Sequence, residues 1–238
     1  MSLLPKLNNM PKYNLNLPST GEEITFRPFL VKEEKILLVA MESQDPKQIA
    51  TAVLDTVKSC LTTDNDVNMF TSYDIEYLFL KIRAKSVGES TKLIFKCQHC
   101  ETENTVPINL DSIKIDRQSD NKNKRIKISN EVTLEMKHPS FLSLATSDDV
   151  VTTSATHQIF GLIKETVVAV MTEDSRIDMK EVKFDEFQEF LESMTQTQFT
   201  KIRDYIISIP KLTHDVKYTC KECKENNELT LEGLQSFL

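Results

Sequence analysis

The sequence has few glycines and none of the short motifs around which common enzymes are built. Only four of its 238 residues are glycine, which leaves little material for a strained catalytic loop. It contains no phosphate-binding glycine loop, no GxSxG, no HExxH and no glycine-rich dinucleotide turn. The histidines stand singly in unlike surroundings, at positions 99, 138, 157 and 214. These absences favour a binding or assembly protein over an enzyme.

Long apolar runs are also missing. No stretch approaches the roughly 20 apolar residues that a membrane-spanning helix needs, and no charged segment followed by an apolar one opens the sequence as a leader would. We therefore expect the protein to remain in the cytoplasm in which it is made. A hydrophobic content of 39% and a charged content of 27% are typical of an ordinary and rather helical globular protein.

An excess of positive charge is absent too. The net charge is −7, so phosphates would be repelled unless a local basic patch overcame the repulsion. The one candidate is the run at 122–127, with Asp116, Asp120 and Glu131 on its flanks. A short basic run on an acidic protein is usually a solvated loop. The composition thus disfavours a general nucleic-acid binder.

A short pattern occurs twice in the chain. Residues 93–108 read LIFKCQHCETENTVPI and residues 216–231 read VKYTCKECKENNELTL, which align without a gap. The alignment matches cysteine to cysteine and Asn104 to Asn227, with Cys220 lying 123 positions after Cys97. Each copy predicts an apolar strand, a CxxC turn and a second apolar strand.

The CxxC spacing is that of a zinc knuckle, which lets two sulfurs face one ion and supplies half of a tetrahedral site. Two knuckles complete the site, so we predict one structural Zn²⁺ per chain. The predicted ligands are Cys97, Cys100, Cys220 and Cys223. Four cysteines leave no open position, so the ion would brace the fold without doing chemistry. His99 stands inside the first knuckle but is not needed as a ligand.

Two other interpretations of the cysteines stay open. A redox dithiol is one, although a thioredoxin-type CxxC lies where a strand enters a helix, and here a turn and a strand follow. Disulfides are the other, although the cysteine count is odd, at five, and nothing marks an oxidising compartment. The fifth cysteine, Cys60, is expected to be a small buried hydrophobe.

Hydrophobic periodicity predicts a hairpin over 13–26 and then three helices. The first runs over 31–41 with Ile36, Leu37, Ala40 and Met41 inward, and the second starts at Asp45 and Pro46. The third starts at an N-cap at Ser72, extends to residue 84 and carries apolar residues on more than one face. We expect it to be the central helix, with Leu78 buried and Lys81 exposed.

Beyond the first knuckle, residues 125–128 and 132–136 alternate as a second hairpin, which we expect to extend the ribbon sheet. Helical patterns follow over 140–144, 158–171, 184–194 and 197–209, with a loop at 174–178. The fold class is therefore α+β, with helical bundles, a small antiparallel sheet and a zinc-ribbon-like four-cysteine module. The predicted domains are an extended arm (1–12), a hairpin with three helices (13–90), the ribbon (91–137 with 211–238) and a helical insertion (138–210).

Two segments of the sequence resemble a known protein family. They are residues 17–43, with LPSTG, FRPFLVKEEK and MES, and residues 73–89, YDIEYLFLKIRAKSVGE, which leads directly into the first knuckle. Both resemble the opening part of the baseplate hub proteins of T-even-type contractile-tailed phages. The resemblance covers roughly the first 115 residues, and beyond them chiefly the second CxxC.

The resemblance implies a non-enzymatic protein of the virion that helps to build the baseplate hub, as a subunit or as an assembly factor. It implies assembly in the host cytoplasm and contacts with other baseplate proteins, and it leaves self-association open. The family has no catalytic residues to transfer, and only the four cysteines are carried over. The competing hypotheses are a zinc-ribbon regulator that binds nucleic acid and, third, a thiol oxidoreductase.

Overall fold

The computed structural model describes residues 10–116, 123–146 and 155–237. The described residues form seven α-helices and eleven strands. The helices are α1 (Val31–Ser43), α2 (Pro46–Cys60), α3 (Ser72–Val87), α4 (Phe141–Thr146), α5 (Ala155–Thr166), α6 (Phe184–Glu192) and α7 (Gln196–Ile207). The predicted α+β class is confirmed. Residues 1–9 of the predicted amino-terminal arm lie outside the described residues.

The strands pair into four small sheets, which are antiparallel throughout. They are β1 (Tyr13–Asn16), β2 (Glu23–Phe26), β3 (Ser90–Lys96), β4 (Glu103–Asn109), β5 (Lys114–Asp116), β6 (Asn123–Lys127), β7 (Thr133–Lys137), β8 (Val167–Met171), β9 (Arg176–Asp178), β10 (Lys211–Thr219) and β11 (Asn226–Glu232). The spatial orders are β1-β2, β3-β4, β11-β10-β5 and β6-β7-β8-β9. No described helix is long and apolar enough to cross a membrane.

The predicted amino-terminal hairpin and second helix form where the sequence places them. Strands β1 and β2 pair in a register that sets Tyr13 opposite Phe26. Helix α2 starts with Pro46 in its first turn, and the Asp45 side chain accepts a hydrogen bond from the Lys47 N–H at 2.9 Å. Proline loses nothing at this position, because its missing N–H would have no partner within the helix.

Helix α1 buries less of its apolar surface than predicted. Leu37 and Ala40 are buried, but Ile36 is 53% exposed and Met41 is 40% exposed. The inward orientation expected for Ile36 and Met41 is wrong because only a narrow stripe of α1 faces α2 and the hairpin. The remaining apolar side chains of α1 form an exposed face.

Helix α3 is the central helix, as predicted. Ile75, Leu78 and Ile82 belong to the amino-terminal core, whereas Leu80 and Ala84 belong to the core of the cysteine module. The N-cap is Thr71, one residue before the predicted Ser72, and its amide and hydroxyl both donate to the Asp74 carboxylate. One helix thus connects two cores.

The second hairpin forms, but it does not extend the ribbon sheet. Strands β6 and β7 pair with each other, and β7 continues to β8, with Leu134 opposite Val170. Leu134 and Met136 are buried in a third core with side chains of α5, α6 and α7. The apolar face of the hairpin therefore packs against these helices, and the hairpin belongs to a separate four-stranded sheet.

The helix predicted over 158–171 ends early, at Thr166. The chain continues directly as strand β8, and β9 follows within the predicted 174–178 loop. Val167, Val168 and Val170 are β-branched, and such side chains favour a pleated strand over a helix. An apolar run of this length does not distinguish the two by periodicity alone. The proposed division into domains remains a prediction.

The carboxyl-terminal turn, Leu234–Phe237, packs against α3. Leu234 is buried in the amino-terminal core and Phe237 in the core of the cysteine module. The Arg83 guanidinium donates a hydrogen bond to the Phe237 carbonyl at 2.6 Å. The second half of the ribbon is therefore fixed to the same helix as the first.

The burial of Leu78 on α3 predicts how much its truncation destabilises the protein. Leu78 is fully buried, so Leu78→Ala should lower the free energy of unfolding by about 2–5 kcal/mol, the usual cost of emptying a leucine site. Leu38→Ala on α1 is the matched control because Leu38 is 55% exposed. This substitution should change the free energy of unfolding by less than about 0.5 kcal/mol. Urea unfolding followed by circular dichroism measures both values, and equal midpoints would contradict the central role of α3.

Lys81 is not a suitable control, because its predicted exposure is wrong. Its side chain is 12% exposed, and Nζ donates to the Asp111 carbonyl at 3.1 Å and to Asp111 Oδ1 at 3.2 Å. A long amphipathic side chain can cover apolar surface while its ammonium group keeps polar partners. Lys81 thereby connects α3 to the short turn that follows β4.

Candidate metal centre

The sequence repeat is a structural repeat. In the β3-β4 hairpin Phe95 lies opposite Asn104, and in the β10-β11 hairpin Tyr218 lies opposite Asn227. Each hairpin ends in a cysteine turn that is closed by an equivalent backbone hydrogen bond. The Cys97 N–H donates to Thr102 O, and the Cys220 N–H donates to Glu225 O, both at 2.9 Å.

Both turns use the same backbone conformation after the second cysteine. Glu101 and Lys224 have φ angles of 59° and 63°, in the left-handed region that non-glycine residues rarely adopt. The two residues occupy equivalent positions of the repeat. The conformation turns each chain back into its second strand, and this return brings the four cysteines to one place.

The four cysteine sulfurs form one cluster. All lie within 4.8 Å of one another. Cys97 Sγ is 3.6 Å from Cys223 Sγ, and Cys100 Sγ is 3.6 Å from Cys220 Sγ. A Zn–S distance of about 2.3 Å gives a tetrahedron with edges of about 3.8 Å. The cluster therefore has the dimensions of a four-thiolate site that could hold a metal ion.

The cluster is half covered. Cys97 and Cys220, the first cysteines of the two turns, are buried, whereas Cys100 is exposed and Cys223 is partly exposed. Solvent therefore reaches one side of the cluster. An ion can enter from this side and then be held by sulfurs whose other side is fixed in the protein.

Backbone amides in the turns face the buried sulfurs. The His99 N–H points at Cys97 Sγ and the Glu222 N–H at Cys220 Sγ, each at 3.4 Å. The His99 backbone thus contributes to the site, while its ring is not among the clustered ligand atoms of the described residues. Donors at this distance favour the thiolate over the thiol.

The sulfurs differ in proton affinity. Burial raises the pKa of Cys220, but hydrogen bonds from the Glu222 and Cys223 N–H groups, the Asn104 amide and Cys100 together outweigh burial and lower it to about 6. The pKa of Cys97 is also lowered, with burial again opposed by the His99 and Cys100 N–H groups. For Cys223 the Glu225 N–H lowers the pKa, but desolvation and the other sulfurs raise it to about 12. Four neighbouring thiols cannot all ionise together without a cation.

The aromatic residues before the two turns hold the hairpins together. Phe95 and Tyr218 stack with their ring centroids 6.0 Å apart and their planes 25° apart. The Tyr218 hydroxyl donates to the Lys96 carbonyl at 3.1 Å. They occupy the same position of the repeat, so the two halves meet about an approximate two-fold axis.

Two buried asparagines were missed as functional residues by the sequence analysis. Asn104 and Asn227 match in the repeat, and each side chain reaches the cysteine turn of the opposite hairpin. The signal that could have found them was their identity at equivalent positions among polar neighbours that differ. Spacing alone does not reveal a contact between hairpins so distant in sequence.

Cys60 lies elsewhere, as predicted. It is fully buried in the amino-terminal core at the end of α2, and burial raises the pKa of its thiol to about 11. The structure therefore separates one inert core cysteine from four clustered ones. All five are free thiols.

The fold and the cluster define an α+β protein whose distant hairpins close one four-cysteine module. The chain belongs to the family described as T4 bacteriophage base plate protein, whose profile matches residues 10–238. A search of curated proteins and a search of solved structures gave no match. The baseplate resemblance is confirmed, and the match reaches past the first 115 residues to the end of the chain.

Membership of this family implies a structural protein of the phage baseplate. It places the protein in the virion tail, in contact with other baseplate proteins, and suggests a role without catalysis.

Proposed function

We propose that the protein is a subunit or assembly factor of the baseplate hub in a contractile phage tail, braced by one structural Zn²⁺. It acts through contacts with other baseplate proteins and assembles in the host cytoplasm. The observation that carries the proposal is the family match over residues 10–238.

Zinc is the proposed ion because of the donor set. Four thiolates at tetrahedral spacing suit zinc or an iron–sulfur cluster. Zinc has no redox chemistry and fills a closed four-cysteine site, which fits a protein that needs only mechanical bracing. Cys97, Cys100, Cys220 and Cys223 are the proposed ligands.

The alternative hypotheses have less support. A nucleic-acid-binding zinc ribbon would need a basic surface, and the net charge of −7 opposes one. A thiol oxidoreductase would need a dithiol before a helix, whereas here each CxxC turn leads into a strand, β4 or β11. The family match favours neither of them.

The exposed face of α1 is the proposed contact surface. A pocket of about 220 Å³ lies between α1, α2 and α3, lined mainly by apolar side chains that include Phe29, Leu38, Met41, Phe79 and Val87. Exposed apolar surface around a pocket often marks a protein interaction site. A helix from another baseplate protein laid along this groove would complete a four-helix arrangement.

The charged side chains that line the pocket indicate which charge the partner helix should carry. Glu34 and Arg83 both line the same pocket. The Arg83 guanidinium donates to the Phe237 carbonyl, and among the described residues no cation forms an ion pair with Glu34. An amphipathic helix that carries a Lys or Arg beside its apolar anchors would complement both features. We commit to this occupant over a second copy of the same chain.

Metal analysis tests the proposed brace. Purified protein should contain one zinc per chain, and Cys220→Ser should lose the ion and several kcal/mol of stability, because metal binding contributes to folding free energy. Cys60→Ala is the control, since it removes a thiol outside the cluster and should keep one zinc. Iron in the purified protein, or zinc retained by Cys220→Ser, would contradict the proposal.

Mass spectrometry tests the proposed location. The protein should be detected in purified hub intermediates. Its presence in finished virions would assign it as a hub subunit, and its absence from them as an assembly factor. Absence from both, with presence in the host cell, would overturn the hub proposal.

Charge substitutions test the groove. Leu38→Glu should weaken capture of the protein into hub intermediates roughly tenfold or more, because an unpaired carboxylate in an apolar contact costs about 1–3 kcal/mol or more. Ile159→Glu is the matched control, since Ile159 is 52% exposed and lies on α5, which does not line the pocket. Both variants should melt like the unaltered protein. Equal incorporation of the two would exclude the groove as the contact surface, while self-association lost in Leu38→Glu would favour a second copy as occupant.

A further inference from the structure

The two asparagines cross between the half-sites. Asn104 on β4 points its Nδ2 at Cys220 Sγ, 3.7 Å away, and its Oδ1 accepts from the Lys221 N–H at 2.8 Å. Asn227 on β11 makes the equivalent contacts with the cysteine turn of the first hairpin. Its Nδ2 is 3.5 Å from Cys97 Sγ, and its Oδ1 accepts from the Gln98 N–H at 2.8 Å.

Each asparagine also closes its own turn. Asn104 Nδ2 donates to Thr102 O at 2.7 Å, and Asn227 Nδ2 donates to Glu225 O at 3.1 Å. Both side chains are buried, so every partner matters, because a buried polar group that loses its hydrogen bond is not compensated by water. One amide thus binds its own hairpin and the cysteine turn of the other.

Only an asparagine side chain meets these demands. It offers two N–H donors and an acceptor oxygen at the tip of a short side chain. Aspartate would keep an acceptor but lose the donor to sulfur, and a leucine of similar size would lose both. The reciprocal pattern therefore accounts for the identity of Asn104 and Asn227 in two copies that otherwise differ at most polar positions.

We propose that Asn104 and Asn227 are positioning residues for the metal, each orienting the buried cysteine of the opposite hairpin. The inference rests on the proposed metal site and deepens it. A four-thiolate site around a divalent cation carries a net charge of −2, and N–H donors to the sulfurs spread that charge. The two amides supply this stabilisation across the interface, so neither half-site is fully formed without the other.

Replacing the side-chain amide of each asparagine by a carboxylate tests the proposal. Asn104→Asp and Asn227→Asp keep the side-chain shape and an acceptor oxygen, but replace the donor to sulfur by a repelling carboxylate. Each should weaken zinc binding roughly 10–100-fold, the usual effect of losing an outer-shell partner. Asn226→Asp is the control on the same strand, because Asn226 is exposed and its Oδ1 accepts from the Thr219 hydroxyl.

The readouts are competition with a chromophoric zinc chelator and the absorption spectrum of the Co²⁺-substituted full-length protein. A purely structural role would lower the melting temperature of the loaded protein while leaving the chelator competition and the Co²⁺ spectrum unchanged. The expected result is weaker competition and a shifted spectrum in both Asp variants of the pair, and neither change in Asn226→Asp.

A measurement on the unaltered protein covers the case in which the variants fail to fold. In the ¹¹³Cd-substituted protein, the side-chain amide protons of Asn104 and Asn227 should couple to the metal through their hydrogen bonds to sulfur, and those of Asn226 should not. Missing couplings, or zinc affinity unchanged in both Asp variants, would overturn the positioning role alone. Failure of the unaltered protein to bind zinc, cadmium or cobalt would overturn the metal proposal and this inference with it.

Discussion

The structure depends on the meeting of two hairpins that are far apart in the chain. Bringing Cys97 to Cys220 closes a loop of 123 residues, and the entropy of that closure costs on the order of 4 kcal/mol. Ring stacking between Phe95 and Tyr218 and the crossed asparagine hydrogen bonds offset part of this cost. A bound ion would offset more, because ligands from both hairpins would share it.

The long segment between the hairpins is accommodated because its ends are neighbours. Strand β5 carries the chain out of the module and β10 brings it back, and Asp116 pairs directly with Lys211. The two strands belong to one sheet, and β6 to β9 share a core of their own with α5 to α7, whereas α4 of the same segment packs on α2 and α3. An insertion with adjacent ends disturbs its host little.

Helix α3 gives the cysteine module a rigid base. It buries one side in the amino-terminal core and the other beneath the ribbon, and Arg83 fixes the carboxyl-terminal turn to it. Tyr73 extends this network, since its hydroxyl lies 3.1 Å from Nδ1 of the buried His138. A partner docked on α1 would therefore rest on a surface connected to the cysteine module through one helix.

Features that depend on the local sequence were predictable before the structure was known. The hairpins, the start of α2 at Asp45 and Pro46, the central position of α3 and the grouping of the four cysteines all follow from spacing, turn chemistry and periodicity. Such signals act over a few residues or repeat as a recognisable motif, and they need no knowledge of the partner element.

Features that depend on which element packs on which were not predictable. The β6-β7 hairpin joined β8 instead of the ribbon, and the run that begins at Val167 became a strand. Ile36 and Met41 remained outside, and Lys81 became covered. Periodicity marks an apolar face without naming the surface that covers it. The repeat itself determined a paired cysteine module, and only the tertiary structure decided that each half is completed by an asparagine of the other, because the packing of two hairpins 123 residues apart is not specified by the spacing within each copy.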